Sequence, residues 1–178
     1  MTKLVVLGIL KRKPLHGYEI KRIIQEEMGD WTNIAFGSIY FALQQLSKEG
    51  CIKPSGPEKQ DSRPAKIVYE ITPQGEKEFM ALLSDVWKKH ERQYFALDLG
   101  LFFSSYLKKA DREKYLKKEQ SVIKAAYRHV KKHWKEEGER VHFTLETDAI
   151  FSHTLHHLKA EYAWLKDLLG KMKTDKKS

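Results

Sequence analysis

Six side chains, Ser38, Tyr40, Phe41, Gln44, Gln45 and Lys48, fall opposite Ile39, Ala42, Leu43 and Leu46 on a helical period. The apolar set steps by i, i+3, i+4 and i+7, the spacing of one buried helix face. On the open face, a glutamine can make paired hydrogen bonds to adenine N6 and N7 in a DNA major groove. Ser38 and Tyr40 lie near the helix start, where they and the free backbone N–H groups can hold phosphate oxygens. The competing reading is an ordinary solvated face, because glutamine is common on exposed helices. The next residues favour the groove. Gly50 supplies a left-handed cap. Cys51 to Pro54 then reads as a strand, Ser55 to Ala65 as a polar turn carrying Lys59 and Arg63, and Lys66 to Thr72 as a second strand. A polar-faced helix followed directly by a hairpin is a winged helix-turn-helix, and the wing needs cations to straddle a phosphate backbone.

Two helices must precede and position this one. Leu4 to Leu10 fits a short buried helix, ended by Lys11-Arg12-Lys13-Pro14 because proline disfavours helix in the residue before it. His16-Gly17-Tyr18 opens the second, in which Ile20, Ile23, Ile24 and Met28 share one face until Gly29-Asp30 stops it. The expected fold is mostly α with a small β-hairpin. It divides into a winged helix-turn-helix DNA-binding domain over 1–90 and a helical dimerisation and effector domain over 91–178.

Several pieces of the first half together resemble the PadR family of bacterial transcriptional regulators. They are HGYEI at His16 to Ile20, G-S-I-Y-x-x-L-x-x-L at Gly37 to Leu46, E-G-C-I at Glu49 to Ile52, and R-P-A-K-x-x-Y-x-I-T-x-x-G at Arg63 to Gly75. Where the family commonly has proline after the tyrosine, this chain has Phe41, which changes one groove-facing side chain. The resemblance implies a homodimeric repressor, often of detoxification or efflux genes, with double-stranded DNA as partner. It also implies that Tyr40 holds a phosphate, that Arg63 and Lys66 serve the wing, and that a small, planar aromatic compound is the effector. His16-Gly17-Tyr18 is expected to fix the start of the second helix rather than to touch DNA.

In the second half, Thr72-Pro73 begins a helix as N-cap and first helical residue. Phe79, Leu82, Leu83 and Val86 form its expected inner stripe, with Trp87 beside them. Tyr94 to Leu107 is apolar almost all round, which predicts burial. Asp111 is the expected cap of a long helix carrying Leu116, Ile123, Tyr127, Val130 and Trp134 and ended by Gly138. In the last helix Phe151, Leu155, Leu158, Tyr162, Leu165, Leu169 and Met172 step by 4 and 3 in turn, a heptad seam. Beside it runs a second seam of Ile150, Thr154, His157, Glu161, Trp164 and Leu168. Two seams call for two partners, one in the same subunit and one on a second chain. The first seam, Phe151 to Leu169, is the expected dimer interface. Trp87, Tyr94, Trp134 and Trp164 could stack on an aromatic effector, although each is an ordinary core residue type.

The 178 residues carry a net charge of +9 with 41% hydrophobic and 32% charged residues. There are 14 basic against 11 acidic residues in 1–90 and 19 against 13 in 91–178, so the excess does not lie mainly in the expected DNA reader. One cysteine, Cys51, excludes an internal disulfide and fits a reducing, cytoplasmic setting. No apolar run is long enough to span a bilayer, so no membrane is expected as partner. His129 and His133, and His153 and His157, share faces at i, i+4, with His156 alongside. Such pairs can bind zinc, but solvated or hydrogen-bonded histidines are the expectation, with Lys131 and Lys132 nearby and no metal. No cofactor is called for. The chain lacks a glycine-rich phosphate loop and a credible nucleophile–base pair, so it is not expected to be an enzyme. The alternative to a ligand-released repressor is an architectural or partner-controlled DNA-binding module with no small effector.

Overall fold

The computed structural model describes residues 1–55, 67–89, 92–140 and 143–174. The chain divides into two compact units, Met1–Arg92 and Gln93–Ser178. The first holds α1 (Thr2–Leu10), β1 (Leu15–His16), α2 (Gly17–Met28), α3 (Phe36–Lys48), β2 (Ile52–Ser55), β3 (Val68–Ile71) and α4 (Pro73–Lys88).

α3 buries Ile39, Ala42, Leu43 and Leu46, the set its period predicts. They join Val6, Leu7 and Leu10 of α1, Ile20 and Ile24 of α2, and Ile52 of β2 in one core. Burying each large aliphatic side chain contributes about 1.5–3 kcal/mol, which outweighs the weak intrinsic helicity of such short segments. α2 starts at Gly17 because His16 is extended and donates its N–H to the Glu19 carboxylate at 2.8 Å. Gly17 itself is buried, and a Cβ there would sit 3.2 Å from Leu43 and 3.5 Å from Tyr40. The HGYEI segment thus sets both the helix start and the α2–α3 approach.

Leu15–His16 pairs antiparallel with Val68 and Tyr69, so the sheet has three strands in the order β1-β3-β2 rather than the two of a bare hairpin. The hairpin register runs from Ile52 opposite Ile71 to Ser55 opposite Val68. β2 is shifted by one residue from its expected limits of 51–54, and β3 ends one residue before the expected limit of 72; the expected start of that strand at Lys66 lies outside the described residues. In α4, Phe79 and Leu82 pack on the core, but Val86 and Trp87 are exposed. The expected place of Val86 in the inner stripe, with Trp87 beside it, is corrected, because the last turn of α4 runs past the core.

The second unit holds α5 (Ala96–Phe102), a 3-10 turn (Ser104–Tyr106), α6 (Lys109–Arg140) and α7 (Leu145–Thr174). α6 and α7 pack along each other. Leu116, Ile123 and Val130 recur every seven residues and are buried, and the first two cluster with Leu165 and Leu169. α6 starts at Lys109, ahead of the expected cap Asp111, and passes through Gly138 to Arg140. A lone glycine costs a helix only about 1 kcal/mol, and Phe143 lies 3.4 Å from where a Gly138 Cβ would be.

Two expectations about this unit need correction. Tyr94, Phe95, Leu99, Phe102, Phe103, Tyr106 and Leu107 are exposed rather than buried. Only Leu97 and Leu101 of this segment turn inward onto the α6–α7 cluster. The first seam of α7 is the other case. Phe151, Leu155, Leu165 and Leu169 are already buried within one chain, and Leu158 and Tyr162 pack beside them. Side chains buried there cannot be offered to a second subunit. The second seam is partly open: Ile150 is 37% and Trp164 43% exposed, while Leu168 packs on the α6–α7 cluster. No helix of the described residues is long and apolar enough to cross a membrane.

Candidate nucleic-acid interface

α3 presents Tyr40, Phe41, Gln44 and Lys48 to solvent. Its buried face fixes its roll on the core, so these four are held outward by packing rather than by chance. Gln45 is half-buried at the edge of this face. Ser38 is also half-buried, and its hydroxyl donates to the Ala35 carbonyl at 2.6 Å. That proton is spent at the helix start, so Ser38 can donate to a phosphate only by giving up this bond. Phe41 stands fully on the open side, 62% exposed.

Tyr69 of β3 joins this face: with Tyr40, Phe41, Gln44, Ser47 and Lys48 it lines one shallow groove. Sequence reasoning missed Tyr69 as a site residue. The signal was available in the alternation of the KIVYEIT strand, whose pairing places Tyr69 opposite both Leu15 and Pro54. A second feature beside α3 is Lys21 of α2, whose ammonium lies 4.0 Å from the centroid of the Phe36 ring. Lys53 of β2 and Glu70 of β3 approach to 3.6 Å across the hairpin. Lys59, Arg63 and Lys66, the expected wing cations, lie outside the described residues.

The junction of α3, hairpin and α4 is built closely. Gly50 has φ +69°, the left-handed conformation that turns the chain from α3 into β2. Thr72 caps α4 by accepting from the Gly75 N–H at 3.1 Å. Gly75 is buried against Cys51, where an added Cβ would sit 2.0 Å from the Cys51 carbonyl oxygen. Cys51 is buried, and burial above all pushes its thiol pKa up, with Glu49 adding to the effect. A thiol held protonated is a poor nucleophile, which fits its reading as a small core residue.

Of the four aromatics expected at an effector site, one lies in the first unit and three in the second, where Trp134 and Trp164 line different clefts. Trp87 ends α4 in the first unit and is 78% exposed. Within the second unit Tyr94 is exposed, and Trp134 donates its indole N–H to Asp148 at 3.0 Å. Trp164 lines a separate cleft of ≈ 310 Å³ with Phe95, Leu97, Asp98, His157 and Glu161. Burial, then the nearby Glu119, raises the Glu161 carboxyl pKa, while His157 opposes the shift. The histidines split in the same way. His153 and His157 meet Nε2 to Nε2 at 3.1 Å, and His133 stands edge-on to Phe151. Among the described residues no group of three or more His, Cys, Asp or Glu is placed to hold a metal ion.

Residues 6–81 match the family model described as the Transcriptional regulator PadR-like family. Among solved structures, the chain is similar to a PadR-like transcriptional regulator from Bacillus cereus at 26% identity and a TM-score of 0.73. That match covers 98% of this chain and 99% of the other. It also shares its fold with Bacillus subtilis PadR in complex with operator DNA, at 22% identity and a TM-score of 0.72, over 96% of this chain and 98% of that one. The same Bacillus subtilis protein in complex with p-coumaric acid aligns at 21% identity and a TM-score of 0.71, with the same coverage. No curated protein sequence matches the chain.

Proposed function

Through residues 6–81 the chain belongs to the PadR-like family of transcriptional regulators, and from that premise we propose that it is a homodimeric repressor of an inverted-repeat operator, released by a small ligand. The observation that carries the reading is the outward row Tyr40, Phe41, Gln44 and Lys48 on a helix locked to its core and flanked by a short β-hairpin. Such a helix fits the major groove, with Gln44 at base edges and Tyr40 and Lys48 on phosphates. Lys59, Arg63 and Lys66 are the cations proposed for the wing. The fold likeness to a PadR solved with operator DNA supports this use of the same elements.

The dimer is supported by apolar surface that one chain leaves open. Leu99, Phe102, Phe103 and Tyr106 are exposed together near the start of the second unit, and Ile150 and Trp164 are open on α7. Large apolar patches on soluble proteins mark association surfaces. A two-fold dimer would set two recognition helices about 34 Å apart on successive major grooves. For the ligand we favour the cleft at Trp164, whose wall is mainly apolar, over Trp87, Tyr94 and Trp134. A ligand with different affinity for two dimer states would change DNA affinity by that difference.

Footprinting of DNA upstream of the chain's own gene tests the reading. Protection of an inverted repeat, lost when one small aromatic compound is added, is the expected result. Salt-sensitive coverage with no preferred sequence would replace the regulator with a non-specific DNA-binding module.

A further inference from the structure

The DNA-reading face leaves the basic excess of residues 91–178 unexplained. Part of that excess is organised on α6. Arg128, Lys131, Lys132 and Lys135 line a groove of ≈ 800 Å³ at the C-terminal end of the helix, a size within the usual range for small-molecule sites of about 300–1,000 Å³. Lys124, one turn earlier, extends the same row at i, i+4, i+7 and i+11 through Arg128, Lys131 and Lys135. Beside the cations runs a row of rings. Tyr127 and Trp134 are seven residues apart on one flank of α6, and Phe143 closes the groove where the chain approaches α7.

The rings are held in place. Trp134 is fixed by its bond to Asp148, and Phe143 stacks on Phe151 with ring centroids 5.5 Å apart. The cations are not neutralised to the same degree. Lys132 meets Glu136 at 3.5 Å and Lys135 meets Glu139 at 3.8 Å, both exposed pairs of the kind worth little in water. Arg128 and Lys131 make no ion pair among the described residues. Among the described lining residues Glu139 is the one carboxylate, against four cations.

We propose that this groove binds a nucleoside polyphosphate, with its phosphates on the Arg128–Lys131–Lys135 row and its base on the Trp134 side. Four cations exceed what a single carboxylate needs, so a singly charged aromatic acid uses the site poorly. A polyphosphate matches the row and takes charge-assisted hydrogen bonds from arginine and lysine. The rings add what a bare polyphosphate cannot use, a face on which a base stacks. Tyr127 and Trp134 are about 10 Å apart along the helix, which suits one base at the held ring rather than a run of bases. This site goes beyond the DNA-reading proposal and does not rest on it.

Titration calorimetry of the full chain with ATP, AMP and inorganic tripolyphosphate, without DNA, tests the site. ATP is expected to bind once per chain and at least about tenfold tighter than either AMP or tripolyphosphate, a gap of about 1.4 kcal/mol. The Arg128→Gln/Lys131→Gln double variant changes exposed residues and should weaken ATP by about tenfold or more. Lys117→Gln/Lys118→Gln, on the same helix outside the groove, should leave it unchanged. Trp134→Leu should weaken ATP but not tripolyphosphate, and Trp134→Gln, which also removes the ring but can still donate to Asp148, serves in its place if circular dichroism shows lost helix. Gln44→Ala, which tests the DNA reading, should not change ATP binding. The proposal is overturned by absence of ATP binding, by equal affinity for ATP and tripolyphosphate, by an unaffected Arg128→Gln/Lys131→Gln variant, or by a thymidine oligonucleotide that outcompetes ATP.

Discussion

The Thr72 hydroxyl donates to the Gly50 carbonyl at 2.7 Å, which ties the first residue of α4's cap to the turn that ends α3. A backbone bond reinforces the tie, from Thr72 N–H to the Cys51 carbonyl at 3.0 Å. The end of α3, the root of the hairpin and the start of α4 therefore meet at one knot. These bonds and the close approach at Gly75 join the start of α4 to the turn after α3.

Gly75→Ala should be the most damaging single methyl in this unit. Its Cβ would have to displace the Cys51 backbone, not a flexible side chain, and overpacking of this kind costs about 1–3 kcal/mol or more. Thr72→Ala should cost about 1 kcal/mol through loss of the cap. Urea unfolding followed by circular dichroism checks both, and a Gly75→Ala variant as stable as the parent would contradict the close approach.

Gln44→Ala and Lys48→Ala should fail on DNA in different ways. Removing Gln44 should relax sequence preference at one base pair, by roughly 1–3 kcal/mol per base contact. Removing Lys48 should weaken binding to every sequence and lower the slope of log affinity against log salt by about 0.9 per phosphate contact and subunit. Fluorescence anisotropy on specific and random duplexes over a salt series separates the two, and equal losses on both duplexes for both variants would sink the division of roles.

The helices of the first unit were legible because each buries one regular face: Ile39 to Leu46 sits where its period puts it, and Gly50 and Thr72 mark the ends they signal. Leu15–His16 was not, since a two-residue strand has no alternation to read and is defined only by its partner Tyr69. Apolar composition misled at Tyr94 to Leu107. Composition reports that a segment seeks cover, but not whether its own chain supplies it. The two seams of α7 were readable as two seams, yet only the packing of Leu165 and Leu169 on Leu116 and Ile123 shows which one α6 occupies. Tyr69 escaped notice as a site residue because its neighbour on the groove, Tyr40, is 29 positions away in sequence.

Leu99→Glu and Leu165→Ala should separate assembly from folding. Leu99 is 66% exposed and Leu165 is 0% exposed in the single chain. The charge at Leu99 should shift the sedimentation profile from dimer to monomer while helical content persists. The cavity at Leu165 should cost about 2–5 kcal/mol of stability. A Leu99→Glu chain that still sediments as the parent dimer would remove this strip from the interface.

Glu161 gives the second unit a predictable pH response. Its pKa is raised, chiefly by burial and then by Glu119, so over the interval above the ordinary glutamate range the folded chain holds a proton that the unfolded chain has released. Stability therefore falls as pH rises through that interval and levels off once the folded-state carboxyl has ionised. Glu161→Gln removes the half-buried charge, so it should raise the thermal midpoint at neutral pH and leave it nearly unchanged in acid below the ordinary glutamate range. Thermal scans of both chains across this range provide the check. A variant midpoint that tracks the parent at every pH would mean that Glu161 carries no penalty on ionising in the folded chain.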